Sequence, residues 1–317
     1  LAVKEFENGT TPAEIAKSIG AGLYKSVCCA KVDGDLCDLR TPLEKDCKVE
    51  LLTFDNVDGQ KTFWHTASHV LAQAVKRLYP NAKCAIGPAV DNGFYYDFDV
   101  EKPFSPEDLE KIKAEMKKIV KSGLELERVE LSPEEAEKKL EEMNEPYKVE
   151  LVKEHSDKGE HITFYKQGEF IDLCAGPHLM SVAPIKAIEL TACTGAYWRG
   201  DANNAQLCRV YGVAFPKASM LEEHLKKLEE AKLRDHNKLG RELEYFTTVD
   251  YVGQGLPILL PKGARVVQLL QRWVEDVEQS KGCLLTKTPL LAKRDLYKIS
   301  GHWDHYLDGM FVLGDPH

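Results

Sequence analysis

Apolar residues recur at helical spacing between Phe63 and Leu78. The stripe consists of Phe63, Ala67, Val70, Leu71, Ala74 and Leu78. A period of about 3.6 residues predicts an amphipathic helix, and Pro80 stops it. At about 100° per residue, His65 and His69 fall roughly opposite the stripe, so we expect both imidazoles on the face that points away from the core.

Capping signals predict further helices. Thr11 is the expected N-cap of the first one, with Pro12 at the first helical position and Glu14 completing a capping box. Ser105 and Ser132 each precede a Pro-Glu pair and a charge-rich helical run. Their charged residues are typical of solvated helix faces.

Short β-rich runs separate these helices. Near the N-terminus they are an extended VKEF, SVCCAKVDG and KVELLTF, with turns at Asn8-Gly9 and Asp33-Gly34. KCAIGPAVDNGFYYDFD predicts a strand, a Gly-Pro break, an Asn92-Gly93 turn and an aromatic strand. The later strands are HITFYKQGEFIDLC, AIELTACTGAYW and QLCRVYGVAF. The pattern predicts an α+β protein in which helices lie over a mainly antiparallel sheet.

The pattern changes after Pro216. A charged run through RDHNKLGREL predicts one long connector helix over residues 217–243. Residues 244–317 then predict an amphipathic helix stopped by Gly282 and a strand ending at Pro289. The roughly seventy residues of this last region are too few for a domain of normal size, so we expect it to be cut short.

Composition fits a soluble globular protein of two or three domains. The chain has 317 residues, of which 43% are hydrophobic and 29% charged. No apolar run is long enough for a membrane span, and no secretory signal is visible. We therefore expect a cytoplasmic protein with no membrane partner.

Charge and cysteine content narrow the classes further. A formal charge of −9 argues against a generally basic DNA-binding surface, although a local basic face still permits tRNA binding. Nine scattered cysteines without a C-x2-C pair argue against a disulfide framework and a zinc ribbon. We expect reduced thiols, most of them in the core.

Two spaced pairs carry the candidate chemistry. His65 and His69 stand four residues apart in HTASH, and Cys174 and His178 stand four apart in LCAGPH. Three imidazoles and a thiolate make a competent tetrahedral zinc site. The same residues can instead orient a water and a substrate without metal. The residues alone leave open both a zinc site and a site that works without metal.

The flanking motifs decide how we interpret these pairs. HTASH, AIGPAVDNGFYYDFD, LCAGPH, TGAYWRGD, RDHNKLGREL and SGHWDHYLDGMF occur in an order that strongly resembles bacterial-type threonyl-tRNA synthetases. The resemblance implies a TGS-like β-grasp domain at 1–54, an α+β editing domain at 55–216 and a linker helix at 217–243. It also implies that 244–317 begins a class II aminoacylation domain, an antiparallel α/β fold that is incomplete here.

The resemblance also assigns roles. It implies that the editing domain hydrolyses mischarged Ser-tRNA(Thr) by water attack, with His65, His69 and His178 orienting or activating the water. Cys174 then forms a pocket wall or contacts the water and is not a nucleophile. The resemblance also implies an editing site that works without bound metal, so we expect no zinc here. The zinc alternative would use His65, His69, Cys174 and His178.

Three more candidates come from the same resemblance. Lys148 in EPYKVEL matches a position near the scissile ester, where it can supply a proton or stabilise negative charge. Asp172 in FIDLC matches a catalytic position that also binds the substrate amine, and Tyr96 in GFYYDFD matches a substrate-binding aromatic. Ala175 departs from the family, which usually has Arg there, so any contact of that Arg is lost or replaced.

The resemblance bounds the activity of this chain. A complete relative joins threonine to tRNA(Thr) with ATP and Mg²⁺, holds one Zn²⁺ per subunit and dimerises through its motif 1 region. The motif 2 and motif 3 arginines and those zinc ligands would lie beyond His317, so we expect no aminoacylation here. Two alternatives are a stand-alone, zinc-dependent alanyl-type deacylase and a non-catalytic tRNA-binding module.

Overall fold

The computed structural model describes residues 3–253 and 255–314 and forms two compact units. They meet in sequence between Glu229 and Glu230. Helices and β-sheets both occur, and every strand pair within the described ranges is antiparallel. The predicted α+β class is confirmed.

The N-terminal part of the first unit is a small sheet covered by helices. It contains α1 (Pro12–Ile19), α2 (Ala21–Ser26), β1 (Val27–Val32), β2 (Asp35–Cys37) and β3 (Val49–Thr53), with strand order β2-β1-β3. Thr11, Pro12 and Glu14 form the predicted capping box. The VKEF segment, which was expected to be extended, lies in no helix or strand.

Helix α3 (Val57–Leu78) is buried on nearly every side. Its fourteen buried residues include Phe63, His69 and Gln73. The prediction that His65 and His69 face away from the core is therefore wrong for His69, which is 2% exposed, whereas Leu78 of the apolar stripe is exposed. Elements on several sides bury α3, so one apolar stripe does not describe its surroundings.

A five-stranded sheet packs against α3. Its strands are β4 (Lys83–Cys84), β5 (Ala89–Val90), β6 (Gly93–Asp99), β10 (Ala187–Tyr197) and β11 (Gln206–Phe215). They run in the order β10-β11-β6-β4, and β5 also pairs with β6. Val90 pairs with Gly93, so the turn residues are Asp91 and Asn92, one position before the predicted Asn92-Gly93 turn.

A second sheet and three helices complete the first unit's middle section. The sheet has β7 (Leu126–Glu130), β8 (Thr163–Gln167) and β9 (Phe170–Leu173) in that order. The helices are α4 (Pro106–Ser122), α5 (Pro133–Glu142) and α6 (Pro146–Asp157). Ser105 and Ser132 form capping boxes at α4 and α5, as predicted.

The connection between β9 and β10, residues 174–186, contains the LCAGPH motif after its first residue, and it has no helix or strand apart from one isolated bridge between Ser181 and Glu125. Gly176 has a positive φ of 76° and precedes a cis proline, Pro177. A Cβ on Gly176 would lie 2.3 Å from the Tyr165 hydroxyl oxygen. Glycine is therefore required here both by the backbone conformation and by the close approach of Tyr165.

The predicted single connector helix is two helices. They are α7 (Ala218–Leu233) and α8 (His236–Glu242). The Asp235 side chain accepts a hydrogen bond from the Lys238 N–H at 2.9 Å and caps the start of α8. This local side chain to backbone bond competes with continuation of the helix at that point.

The second unit contains a short hairpin and three further helices. The elements are β12 (Phe246–Thr247), β13 (Ile258–Leu259), α9 (Pro261–Ser280), α10 (Arg294–Ile299) and α11 (His302–His305). Gly282 follows α9 with a φ of 80°, as expected for a helix stop. The predicted strand ending at Pro289 is wrong, because residues 283–289 find no neighbouring strand in the described part of the chain.

None of the described helices combines the length and the apolar character that crossing a membrane requires.

Candidate functional site

Helix α3 and the 174–186 connection bring four side chains together. His65 and His69 lie one turn apart on α3, and Cys174 and His178 lie at the start of the connection. One donor atom of each lies within 4.8 Å of the others. The structure therefore places the two sequence pairs, about a hundred residues apart, in one cluster.

Cys174 lies at the centre of the cluster. Its Sγ is 3.2 Å from His65 Nε2 and 3.1 Å from His178 Nε2, and it accepts a hydrogen bond from the Gly176 N–H. Burial raises the pKa of the Cys174 thiol to about 12. Cys174 is thus a thiol at neutral pH, which is a weak nucleophile.

The three imidazoles are neutral at physiological pH. Burial lowers the pKa of His65 to about 4 and that of His69 to about 3. Burial, followed by the neighbouring His65 and His69, holds the pKa of His178 well below its usual range. Neutral imidazoles can accept a hydrogen bond from water and can also bind metal.

Thr66 fixes the far side of the His178 ring. Its hydroxyl lies 3.1 Å from His178 Nδ1, accepts from the Leu179 N–H at 3.0 Å and donates to the Thr62 carbonyl at 3.1 Å. When the hydroxyl donates to Thr62, His178 carries its proton on Nδ1. Nε2 then faces Cys174 as an acceptor.

Asp172 links this cluster to a buried ion pair. Its Oδ1 lies 2.7 Å from Lys148 Nζ, and its Oδ2 accepts from the Tyr96 hydroxyl at 2.6 Å and lies 3.7 Å from His69 Nε2. Burial opposes both charges, yet the charge of Lys148 keeps the pKa of Asp172 below its ordinary value. Asp172 in turn raises the pKa of Lys148. Both groups are therefore charged at neutral pH.

Tyr96 lies behind Asp172. The ring is fully buried and packs against Gly87, where a Cβ would lie 2.1 Å from a Tyr96 ring carbon. The structure thus places Tyr96 where it can orient Asp172. Direct contact of Tyr96 with a substrate stays a prediction.

A cavity of about 350 Å³ opens beside these residues. Its polar wall includes His65, His69, Lys148, Asp172, Thr163 and Cys174, and its apolar wall includes Ile86, Gly87, Pro88 and Leu151. Ala175 is exposed and also lines the cavity. Position 175, where the family that this sequence resembles usually has Arg, therefore lies at the cavity wall.

Several residues of the site carried no recognisable sequence signal. Thr66 orients His178, Ser68 donates to the Gly87 carbonyl at 2.6 Å, and Thr163 donates to the Cys174 carbonyl at 2.6 Å. His155 and Glu160, at the end of α6 and just beyond it, also line the cavity. The positions of Thr66 and Ser68 inside HTASH, beside His65 and His69, were the available hint for these two residues.

The cluster also fits the donor set of a zinc centre. Three nitrogen ligands and one sulfur ligand are typical of tetrahedral zinc, with bonds of about 2.0–2.3 Å. His69 Nδ1 is buried and has no hydrogen-bond partner among the described atoms, so this imidazole is not fully committed to the protein. The donor types and their proximity are compatible with metal, with small shifts of the side chains.

Two family models match the chain. A TGS domain model matches residues 2–53, and the model for the second additional domain of threonyl and alanyl tRNA synthetases matches residues 162–211. The latter range contains Asp172, Cys174 and His178. These three residues of the candidate site therefore lie in a domain shared by two kinds of tRNA synthetase.

Curated relatives match over almost the whole chain. A threonine–tRNA ligase from Clostridium perfringens is 60% identical over 313 residues, which are 99% of this chain and 48% of the relative. Those of Acetivibrio thermocellus and Caldanaerobacter subterraneus are 52% and 51% identical over 98% and 97% of the chain, again 48% of each relative. The chain corresponds to the N-terminal region of a threonyl-tRNA synthetase. It spans about half the length of the curated relatives it matches.

This family assignment gives names to two parts of the first unit. The helices and sheet before α3 are the TGS domain, and Cys174 and His178 of the cluster lie in the second additional domain. The expectation of a threonyl-tRNA synthetase is confirmed, and the alternatives of an alanyl-type deacylase and a non-catalytic module are not favoured.

Proposed function

We propose that this chain hydrolyses the ester bond of mischarged Ser-tRNA(Thr). The observation that supports the proposal best is the set of three neutral imidazoles and a thiol beside a cavity that also exposes the Lys148 and Asp172 ion pair. These are the groups that water-mediated ester hydrolysis requires: acceptors for a water, a fixed positive charge and an anion for the substrate amine.

A threonine enzyme needs such a second site for a physical reason. Serine keeps the hydroxyl of threonine and lacks one methyl group, which a binding pocket can discriminate by about 1–3 kcal/mol, or roughly 10–200-fold. A second site that admits serine and excludes the threonyl methyl can remove the remaining errors by hydrolysis. The cavity beside the cluster is the candidate for that site.

The reaction follows from the charges of the site. A water held by His65 or His69 attacks the ester carbonyl carbon, and the imidazole that holds it takes up the proton that the water loses. The tetrahedral oxyanion forms near the positive charge of Lys148, which stabilises it. Collapse breaks the bond to the ribose oxygen and releases serine and tRNA. Asp172 holds the substrate ammonium group during these steps.

The raised pKa values argue for particular roles. Lys148 holds its proton more tightly than usual, so it serves better as a fixed charge than as a proton donor. The thiol of Cys174 is protonated, which favours its role as a pocket wall or water contact. The leaving ribose oxygen then takes its proton from the imidazole that accepted it from the water.

We expect this hydrolysis to proceed without bound metal. If zinc were bound, His65, His69, Cys174 and His178 would hold it, and it would polarise the attacking water or the ester carbonyl. Metal analysis of the purified protein and of a His69→Ala variant tests this expectation. If the unsubstituted protein contains stoichiometric zinc and the His69→Ala variant does not, the expectation of metal-free hydrolysis is overturned.

The parent enzyme is a further part of the proposal. We propose that the complete protein is a threonine–tRNA ligase that joins threonine to tRNA(Thr) with ATP and Mg²⁺, binds one zinc ion per subunit and dimerises through its motif 1 region. We place it in the cytoplasm. The division at 1–54, 55–216, 217–243 and 244–317 is part of the same proposal.

Hydrolysis of Ser-tRNA(Thr) by the 317-residue chain tests the function directly. Lys148→Met should lower the rate by about 100-fold or more, because it removes the charge facing the oxyanion. Lys153→Met is the matched control, since Lys153 lies on the same helix and is 59% exposed. A His65→Ala, His69→Ala double variant should also be inactive. If the unsubstituted 317-residue chain hydrolyses Ser-tRNA(Thr) no faster than this double variant, the proposal is contradicted.

A further inference from the structure

The TGS domain contacts the connection that carries His178. Asp38 and Arg40 follow β2, about 140 positions before His178 in sequence. The side chains of Asp38 and Arg40 are 7% and 16% exposed. They belong to the TGS range of 2–53 and none of the hydrolytic steps proposed above uses them. A buried ion pair at a domain contact calls for an explanation, because burying charge is costly unless every group is paired.

The Asp38 carboxylate accepts hydrogen bonds from both domains. Its Oδ1 accepts from the N–H of Arg40 at 2.9 Å and from Arg40 Nη1 at 3.0 Å. Its Oδ2 accepts from the Tyr165 hydroxyl at 2.8 Å and from the His178 N–H at 3.2 Å. The backbone of His178 therefore has a charged acceptor from the TGS domain.

The Arg40 guanidinium contacts the carbonyls next to that N–H. Nη2 donates to the Leu179 carbonyl at 2.8 Å, Nη1 to the His178 carbonyl at 3.4 Å, and Nε to the Leu126 carbonyl at 3.0 Å. The planar fork of arginine can reach several acceptors at once, which a single lysine nitrogen cannot do. Arg40 thus joins two backbone positions of the connection to β7.

These bonds matter because little regular pairing fixes the middle of the connection. Residues 174–180 lie in no helix or strand. At their two ends the Cys174 N–H donates to the Thr163 carbonyl and the Met180 carbonyl accepts from the Leu126 N–H, but the polar backbone groups between them need other partners. The His178 N–H and the His178 and Leu179 carbonyls find them in Asp38 and Arg40, and the Leu179 N–H finds Thr66. Fixing both sides of this backbone fixes where the His178 ring meets Cys174.

We infer that Asp38 and Arg40 are positioning residues of the hydrolytic site, through which the TGS domain holds the His178 backbone in its working geometry. The kinetic part of this inference rests on the proposed hydrolysis of Ser-tRNA(Thr). Neither side chain lines the cavity beside the cluster. Their loss should therefore alter the rate of the bound complex and not the binding of substrate.

The test compares Asp38→Asn and Arg40→Lys with a matched ion pair elsewhere. Arg209 donates from Nε and Nη2 to the two Asp97 oxygens at 2.7 and 2.8 Å, and the pair joins β11 to β6. Arg209→Lys disrupts a similar fork in the five-stranded sheet. All three variants are made in the 317-residue chain, and circular dichroism and thermal melting check their folding.

Two measurements are made on each variant. In hydrolysis of Ser-tRNA(Thr), we expect kcat to fall by about 100-fold for Asp38→Asn and Arg40→Lys with KM unchanged, because a small misplacement of a catalytic group has that effect. In amide hydrogen exchange, we expect residues 174–180 to exchange about tenfold faster or more, since a charge-assisted hydrogen bond is lost. Arg209→Lys should show neither effect.

Clear outcomes would overturn the inference. One is a folded Asp38→Asn or Arg40→Lys variant whose kcat and exchange match those of Arg209→Lys. Another is faster exchange throughout the TGS domain and the sheets, which indicates general loosening. If both variants fail to fold, Tyr165→Phe removes one donor to Asp38 and keeps the ring. It should show the same local effects more weakly, and wild-type behaviour would refute us.

The two proposals fail in different ways. If the parent chain does not hydrolyse Ser-tRNA(Thr), the proposed function fails, while exchange in residues 174–180 still decides whether Asp38 and Arg40 hold this backbone. If the parent is active and the Asp38 and Arg40 variants are as active as the Arg209 control, only the positioning role fails.

Discussion

Helix α3 has 22 residues and helix α9 has 20, and both carry apolar side chains at helical spacing, yet their surroundings differ. Fourteen residues of α3 are buried, whereas in α9 only Gly263 is buried within the described part of the chain. The exposed residues of α9 include Leu269, Leu270 and Trp273. Helical period predicts the element, but it does not say what covers the element.

The two helices also differ in the polar residues that they carry. Helix α3 buries Thr66, Ser68, His69 and Gln73, and hydrogen bonds satisfy most of their polar atoms. A buried polar group without a partner is costly, so these residues need specific neighbours from distant parts of the chain. Helix α9 buries no polar side chain in the described part of the chain, so it needs no such partners. We therefore expect changes in α3 to affect both stability and hydrolysis.

The largest contrast should come from truncating a leucine in each helix. Leu71→Ala in α3 leaves a cavity at a fully buried position and should lower the free energy of unfolding of the first unit by about 2–5 kcal/mol. Leu270→Ala in α9, where Leu270 is 55% exposed, should change the stability of this chain by about 0.5 kcal/mol or less. Urea unfolding followed by tryptophan fluorescence measures both. Equal losses would refute the comparison.

Exchanging an isosteric threonine and valine should have a smaller effect. Thr66→Val leaves the Leu179 N–H and the His178 ring without their partner, and should cost about 1–3 kcal/mol and slow hydrolysis of Ser-tRNA(Thr). Val267→Thr on the exposed face of α9 is the control and should change neither quantity. Full activity of a stable Thr66→Val variant would show that Thr66 does not orient His178.

Acid should destabilise the first unit through α3. The pKa of buried His69 is about 3 in the folded protein and about 6.5 in an unfolded chain. Between these values the unfolded state binds more protons, so stability is full above about pH 6.5 and falls as pH decreases toward 3. In chelator-treated protein, we expect His69→Asn to reduce the total loss of stability between pH 6.5 and 4 by about 1.4 kcal/mol or more. An unchanged loss would contradict the burial argument.

The smallest expected effect comes from the cavity wall. Ala175→Arg adds a positive charge beside the cavity and should lower KM for Ser-tRNA(Thr) by a few-fold, with kcat little changed, because a charge at the rim mainly affects encounter with a polyanion. Added salt should weaken the effect. Ala264→Arg, which adds the same charge to exposed α9, should leave KM unchanged. If the two variants have the same KM for Ser-tRNA(Thr), the place of position 175 beside the cavity does not matter for substrate binding.

Local signals in the sequence predicted local structure well. The capping boxes at Thr11, Ser105 and Ser132 all form, because each depends on residues three positions apart. The single connector helix was wrong, since Asp235 caps a second helix there. The strand expected before Pro289 was also wrong, because a strand needs a neighbour that the sequence pattern does not provide.

The candidate site was predictable only in part. Motif spacing selected His65, His69, Cys174 and His178, and the structure places them together. The burial of His69 was not predicted, because the pattern along α3 shows one apolar stripe and not the elements that cover the other faces. Asp38 and Arg40 could not be found from the sequence, because their partners lie some 86 to 140 positions away and nothing in the local pattern links them.

The contact between Asp38 and the His178 backbone bears on how such a protein can be divided or recombined. A gene segment that encoded only residues 55–216 would supply every side chain of the imidazole and thiol cluster, but it would omit Asp38 and Arg40, which are two partners of the backbone at His178 and Leu179. Such a segment, placed in another protein, would therefore need one group to replace the Asp38 carboxylate and another to replace the Arg40 guanidinium. Exchange of domains between proteins is constrained here by the Asp38 and Arg40 ion pair at the contact between two domains, and not by the reacting groups themselves.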